Sequence, residues 1–220
     1  MNDRIKAITD AATVLFLQQG YAKTQISHIA KAVGVSVGTI YLNFVGKKEI
    51  MHFVLKSTID PAFLEQDFER PIKDTLFQDV EQEIMDLFEK SASDFEKNLD
   101  EAGNHYSFEK LIQDAFDMLD KYAVGCLFIE KNQFDFPQLA DRYKAYRKRF
   151  LDTMTRYIER FMEKGVIRKL EQPDLTTVLI VEILSWWAMD MRYTSFETCN
   201  IPREAARAVC MDNIISAYKK

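Results

Sequence analysis

Glycine and proline are scarce in this chain, seven and five in 220 residues. So few turn-formers exclude a loop-rich or collagen-like chain and leave long stretches free for helices. Cysteine is rarer still. Cys126, Cys199 and Cys210 are far apart, odd in number and outside any C-x-x-C or Cys/His cluster, which excludes a disulfide framework and a zinc site. They read as reduced thiols of a cytosolic protein, with redox sensing as the alternative. His28, His52 and His105 have no metal-binding spacing, and neither a glycine-rich phosphate loop nor a nucleophile elbow occurs. No metal and no cofactor are expected, and an all-helical enzyme lacks its usual marks. The most apolar run, residues 175–189, is interrupted by Glu182 and closed by Asp190 and Arg192, too short to span a bilayer. The amino terminus lacks the apolar run of a signal peptide, so a cytoplasmic location without a membrane is expected.

What is present is helical periodicity. Val80, Ile84, Leu87, Phe88, Ser91, Phe95 and Leu99 recur at spacings of three and four, as do Phe108, Leu111, Ile112, Ala115, Phe116 and Leu119. A longer helix is predicted from Pro137 to Gly165, a fourth from about Asp174 to Tyr193, and a last from about Pro202 to Tyr218. No internal repeat and no strand-like alternation accompany them. The fold class is all-α. The charge is unevenly shared. Residues 1–56 hold seven cations against three carboxylates, so they carry +4 and the remainder −9 of a net −5. A basic tip on an acidic body suits contact with a polyanion, although charge asymmetry alone is common.

The densest local signal is 24–50, TQISHIAKAVGVSVGTIYLNFVGKKEI. Thr24 is a plausible N-cap for a helix carrying Ile26, Ile29, Ala30 and Val33, and Gly34 permits the sharp turn that ends it. Ser36 is the next N-cap candidate, and in the helix it opens Ile40 and Phe44 share one face while Gly38, Thr39, Tyr41 and Leu42 point the other way. Two short helices joined by such a turn form a helix-turn-helix, whose second helix can enter a DNA major groove.

The residues GVSVGTIYLNF followed by KKEI, with T-x-x-x-x-I-A upstream, resemble the amino-terminal domain of the tetracycline-repressor (TetR) family. The likeness covers roughly the first fifty residues and includes AATVLFLQQGYAKTQI. It implies a three-helix DNA-binding domain over 1–56 and a larger helical effector-binding and dimerisation domain over 57–220. It also implies a double-stranded DNA operator as partner. By the same resemblance, Thr24, Ser36, Tyr41, Asn43 and Lys47 match phosphate-contacting positions, Gly38 allows close approach, and Val37, Thr39 and Leu42 stand where base edges are read. For Tyr41 the alternative is a half-buried core aromatic, and for Lys47 a solvated lysine. The chain departs from the family where Val37 replaces a frequent lysine or arginine and Asn43 a frequent histidine or tyrosine. Val37 and Leu42 together favour thymine methyl groups over hydrogen-bonded readout.

The resemblance further implies a homodimer through the two carboxy-terminal helices. It fits an independent observation, since a helix as apolar around its circumference as 175–189 is normally buried on two sides. A small hydrophobic effector is expected in the helical body, with Phe88, Phe108, Phe116, Met118, Phe128, Glu182 and Trp187 as candidate lining. Core packing is the competing role for each aromatic. Glu182 could meet a cationic effector, pair across a dimer interface or reach solvent. A repressor is the reading that follows, and a helical adaptor without DNA binding is the alternative from another class.

Overall fold

The computed structural model describes residues 3–196 and 201–220. Cys199 therefore lies outside the described residues. These residues are helical with three isolated β-bridges, and no strand occurs among them. No helix is long and apolar enough to cross a membrane among the described residues.

The chain divides into two compact units, the described residues of Met1–Leu87 with Val124–Asp141, and Phe88–Ala123 with Arg142–Lys220. The boundary expected after residue 56 falls inside a helix, Lys47–Ile59.

The first unit opens with α1 (Asp3–Gln18), which buries Ile5, Ile8, Ala12 and Phe16 on one face. Gly20 ends it at φ 91°, a left-handed conformation that costs glycine little. Then follow α2 (Ile26–Val33), α3 (Val37–Asn43) and α4 (Lys47–Ile59). Ile8, Phe16, Ile29, Ile40, Phe44 and Phe53 are all fully buried and form the core. After α4 the chain makes two 3-10 turns, Pro61–Glu65 and Asp74–Phe77, before α5 (Val80–Glu96). The unit is completed by α7 (Ala123–Lys131), which brings Phe128 within 6.1 Å of the Phe16 ring.

The second unit holds α6 (Phe108–Lys121), capped by Ser107, whose hydroxyl accepts from the Lys110 amide at 3.2 Å. Its apolar face is the one its periodicity predicts: Phe108, Leu111, Ile112, Ala115, Phe116 and Leu119 are buried. The long α8 (Pro137–Glu163) contributes Phe150, Met154, Tyr157 and Phe161, and stops at Gly165, φ 70°. Next come α9 (Pro173–Ser185), a π-helical turn Trp186–Asp190, the short α10 (Met191–Tyr193) and α11 (Arg203–Tyr218). Arg207 on α11 grips Asp117 on α6 through Nε at 2.9 Å and Nη2 at 3.1 Å, a forked pair of the kind guanidinium favours.

The Tyr157 hydroxyl donates to the Phe95 carbonyl at 2.7 Å in the core, and burial pushes its pKa up to about 12. Tyr157→Phe would leave that carbonyl without its partner. It is expected to cost about 1–2 kcal/mol, read as a lower urea midpoint at unchanged slope. An unchanged midpoint would show that water replaces the hydroxyl.

Candidate nucleic-acid interface

The site is built from α2, the turn after it and α3. α2 ends at Gly34, φ 74° and ψ 39°, and the Val35 amide closes the turn on the Ala30 carbonyl at 2.9 Å. This 6→1 bond is the Schellman stop that lets the chain reverse in three residues. Ser36 then caps α3, its Oγ accepting from the Thr39 amide at 3.1 Å and lying 3.0 Å from Thr39 Oγ1. Ile40 and Phe44 anchor α3 from below at 0% exposure. Gly38, Tyr41 and Leu42 face outward, with Leu42 71% exposed, and Val37 in the first turn is exposed as well. A seven-residue helix with two buried anchors and three exposed apolar side chains is a surface made for a partner, because isolated it gains nothing from that exposure.

Gly38 is not required by the chain's own packing. A methyl group built there meets only Ser36 Oγ at 3.6 Å, an ordinary contact, and its backbone is not left-handed.

Three expected site residues sit differently. Thr24 is fully buried and is not the cap of α2. Its hydroxyl donates to the Gly20 carbonyl at 2.7 Å and accepts from Gln19 Nε2 at 3.1 Å, so it braces the α1–α2 corner. The cap is Gln25, in a reciprocal box with His28. Asn43 is 4% exposed and its Nδ2 donates to the Thr39 carbonyl at 2.8 Å. It does not present an amide at the surface, and its Oδ1 is buried without a protein partner. Lys47 is half-buried. Its ammonium donates to the Tyr21 carbonyl at 2.8 Å and lies 4.2 Å from the centre of the Tyr21 ring. Desolvation lowers its pKa, with the Asp135 carboxylate opposing. Ser36, Val37, Tyr41 and Leu42 are exposed, and Thr39 is half-buried. The cations Lys23 and Lys31 are exposed nearby in sequence and make no ion pair among the described residues, a signal that residue type alone carried.

The expected effector lining is scattered. Phe108, Phe116 and Phe128 are sealed core residues, 1% exposed or less, and Phe128 belongs to the first unit. Phe88 stacks on Tyr146 at 4.7 Å. Trp187 is half-buried in the π-helical turn. Glu182 points to solvent, with Arg147 at 3.7 Å. Met118 alone of the seven borders a cavity of about 340 Å³ in the second unit. Phe95, Tyr106 and Tyr122 complete its apolar wall, while Asp94, Asn98, Asp114 and Lys121 make it more polar than an aromatic-rich sequence suggests. Tyr106 donates to Asp114 at 2.9 Å, and burial raises its pKa. Cys126 and Cys210 are buried, and burial pushes the Cys210 thiol up to about 11, the opposite of a reactive thiolate. No cluster of metal-ligating side chains occurs among the described residues.

An all-α chain with an outward-facing, capped second helix after a Schellman turn is a helix-turn-helix protein. Residues 8–53 match the model of the bacterial regulatory proteins of the tetR family. The amino-terminal segment of the chain therefore carries the domain of that family, and the match does not extend beyond residue 53. The chain is 40% identical over 73 residues to the HTH-type transcriptional regulator HbdR of Aromatoleum sp. strain CIB, covering 33% of this chain and 31% of that one. It is 40% identical over 67 residues to the fatty acid metabolism regulator protein of Bacillus subtilis strain 168, covering 30% and 34%. The chain thus spans about a third of the length of these curated relatives. A longer likeness, 22% identity over 184 residues, joins it to the transcriptional repressor KstR2 of Mycobacterium tuberculosis, covering 84% and 77%. The solved structure of KstR2 has a TM-score of 0.51 at 16% identity over 100% of this chain and 97% of that one, and bears on the fold alone. These relatives are regulators rather than enzymes.

Proposed function

We propose that this chain is a DNA-binding transcriptional regulator, a repressor released from a palindromic operator by a small-molecule effector, working as a homodimer in the cytoplasm. The observation that carries the reading is the exposed face of α3, with Val37, Tyr41 and Leu42 outward over the buried anchors Ile40 and Phe44. Val37 and Leu42 suit thymine methyl groups, the Thr39 hydroxyl suits a base edge, and the hydroxyls of Ser36 and Tyr41 suit phosphate oxygens. Lys47 can serve a phosphate only with donors not already given to Tyr21. Thr24 and Asn43 support the surface from beneath.

Repression, rather than activation, follows the name of the relative KstR2. The homodimer is supported by the exposed stripe of Leu175, Val178 and Leu179 on α9 and Trp186 in the π-helical turn after it, with Val209 exposed on α11. Two-fold symmetry would match a palindromic site. The effector is assigned to the cavity beside Met118, whose mixed wall suits a molecule with an apolar body and at least one polar group.

The test is fluorescence polarisation on duplexes selected from a random pool, with a salt titration. A preferred palindrome is expected, with log K falling by about 0.9 per phosphate contact for each unit of log salt. Indifference to sequence and salt would favour a helical adaptor instead.

A further inference from the structure

Residues 60–79, between α4 and α5, form no helix beyond two 3-10 turns, yet they are tied to the α3–α4 corner in three independent ways. The backbone of Ile72 makes a parallel bridge with Phe44: the Ile72 amide donates to the Asn43 carbonyl at 2.8 Å, and the Val45 amide donates to the Ile72 carbonyl at 3.1 Å. The Asp74 carboxylate accepts from Lys48 Nζ at 2.7 Å, and its other oxygen lies 2.8 Å from His52 Nδ1. The rings of Phe63, Phe68 and Phe77 surround Phe53 of α4, with centroids 5.0, 5.1 and 6.4 Å away.

The place of the bridge matters more than its strength. Asn43 is the last residue of α3, and its carbonyl is one of those a helix leaves unsatisfied at its carboxy end. A seven-residue helix is too short to hold its own geometry, so its direction is set by what grips its ends. At the amino end the grip is the Ser36 cap. At the carboxy end it is Ile72, itself 1% exposed.

We propose that residues 60–79 are a strap that sets the position of the DNA-reading helix, with Ile72 and Asp74 as positioning residues that touch no DNA. The proposal rests on the DNA-binding reading above. Base readout depends on where α3 stands, whereas phosphate contacts tolerate small displacements. Loosening the strap therefore lowers specific binding and spares non-specific binding.

The experiment compares wild type, Ile72→Ala, Ile72→Val and Asp74→Asn on the preferred duplex and a random duplex at one salt concentration. Amide hydrogen exchange is measured on the free proteins. Ile72→Ala is expected to bind the preferred duplex at least tenfold more weakly and the random duplex within twofold of wild type. Ile72→Val should recover the preferred affinity to within threefold. The Val45 amide should exchange at least tenfold faster in Ile72→Ala while the Ala12 amide in α1 is unchanged. Should Ile72→Ala fail to fold, Asp74→Asn must show the same split in smaller degree. Equal losses on both duplexes, no loss on either, or an unprotected Val45 amide in wild type overturns the strap alone. A wild type without a preferred duplex overturns the DNA-binding reading, and the strap's role with it.

Discussion

Gly38→Ala is expected to move stability and DNA binding in opposite directions. Nothing inside the chain requires glycine at 38, since an added methyl group meets only Ser36 Oγ at 3.6 Å. Alanine in the first turn of α3 should therefore stabilise the fold by a few tenths to about 1 kcal/mol, because it restricts the unfolded chain and favours the helix. The same methyl group stands on the exposed face beside Tyr41 and Leu42. If α3 enters a major groove with its backbone close to the base edges, the added carbon overpacks the interface. Overpacking costs about 1–3 kcal/mol, or roughly tenfold or more in affinity. The measurement pairs a thermal melt with polarisation on the preferred duplex. A higher melting temperature with undiminished affinity would mean that the backbone at 38 stands away from the bases, and would reassign closeness to another part of the surface.

How much of this was legible in the sequence differs from helix to helix. α3 was readable because every local cue agreed: a left-handed glycine at 34, a hydroxyl cap at 36 and two anchors four residues apart. α6 was readable through its buried face alone. Thr24 misled because its hydroxyl is as able to brace a corner as to cap a helix, and Gln25 with His28 took the cap. α7 carried no usable pattern. Ala123, Cys126, Leu127, Phe128 and Ile129 are all buried, so there is no stripe, and Gly125 speaks against a helix until its close neighbour Thr58 is seen. The strap was invisible for a related reason. Phe63, Phe68 and Phe77 have no period, and the bridge at Ile72 is a contact of backbone atoms that side chains do not advertise.

The effector lining was the least legible part. Phe108 and Phe116 belong to the core stripe of α6, and aromatic content cannot tell a wall from a filled interior. The cavity is lined in part by polar residues, among them Asp94 on α5 and Asp114 on α6, and in helices with several other carboxylates no spacing sets these two apart. Glu182 was ambiguous for the opposite reason. It lies on a helix apolar around most of its circumference, but on the side that faces water in the single chain.

That same helix supports the second large expected effect: Leu179→Glu should convert a dimer to a folded monomer and abolish high-affinity operator binding. On α9 and the turn after it the apolar residues fall into two sets, with Ile183 half-buried between them. Ile180, Val181 and Leu184 are buried within the chain, while Leu175, Val178, Leu179 and Trp186 are exposed, Leu179 by 53%. A charge at Val181 would unfold the unit and test nothing about association. A charge at Leu179 leaves the single chain solvated and acts only when a second copy covers the stripe. Glutamate is sharper than lysine here, because Glu182 lies three residues on and would pair with a new ammonium, whereas a second carboxylate is repelled. Burying that unpaired charge at an interface costs about 3–5 kcal/mol, which weakens a dimer by two orders of magnitude or more. Sedimentation at micromolar concentration, with circular dichroism to establish that helix content is kept, separates dissociation from unfolding. Operator affinity should fall with dimerisation, since each protomer then holds one half-site alone. A Leu179→Glu protein that stays dimeric would place the interface elsewhere than α9, and a wild type that sediments as a monomer would remove the two-fold reading altogether.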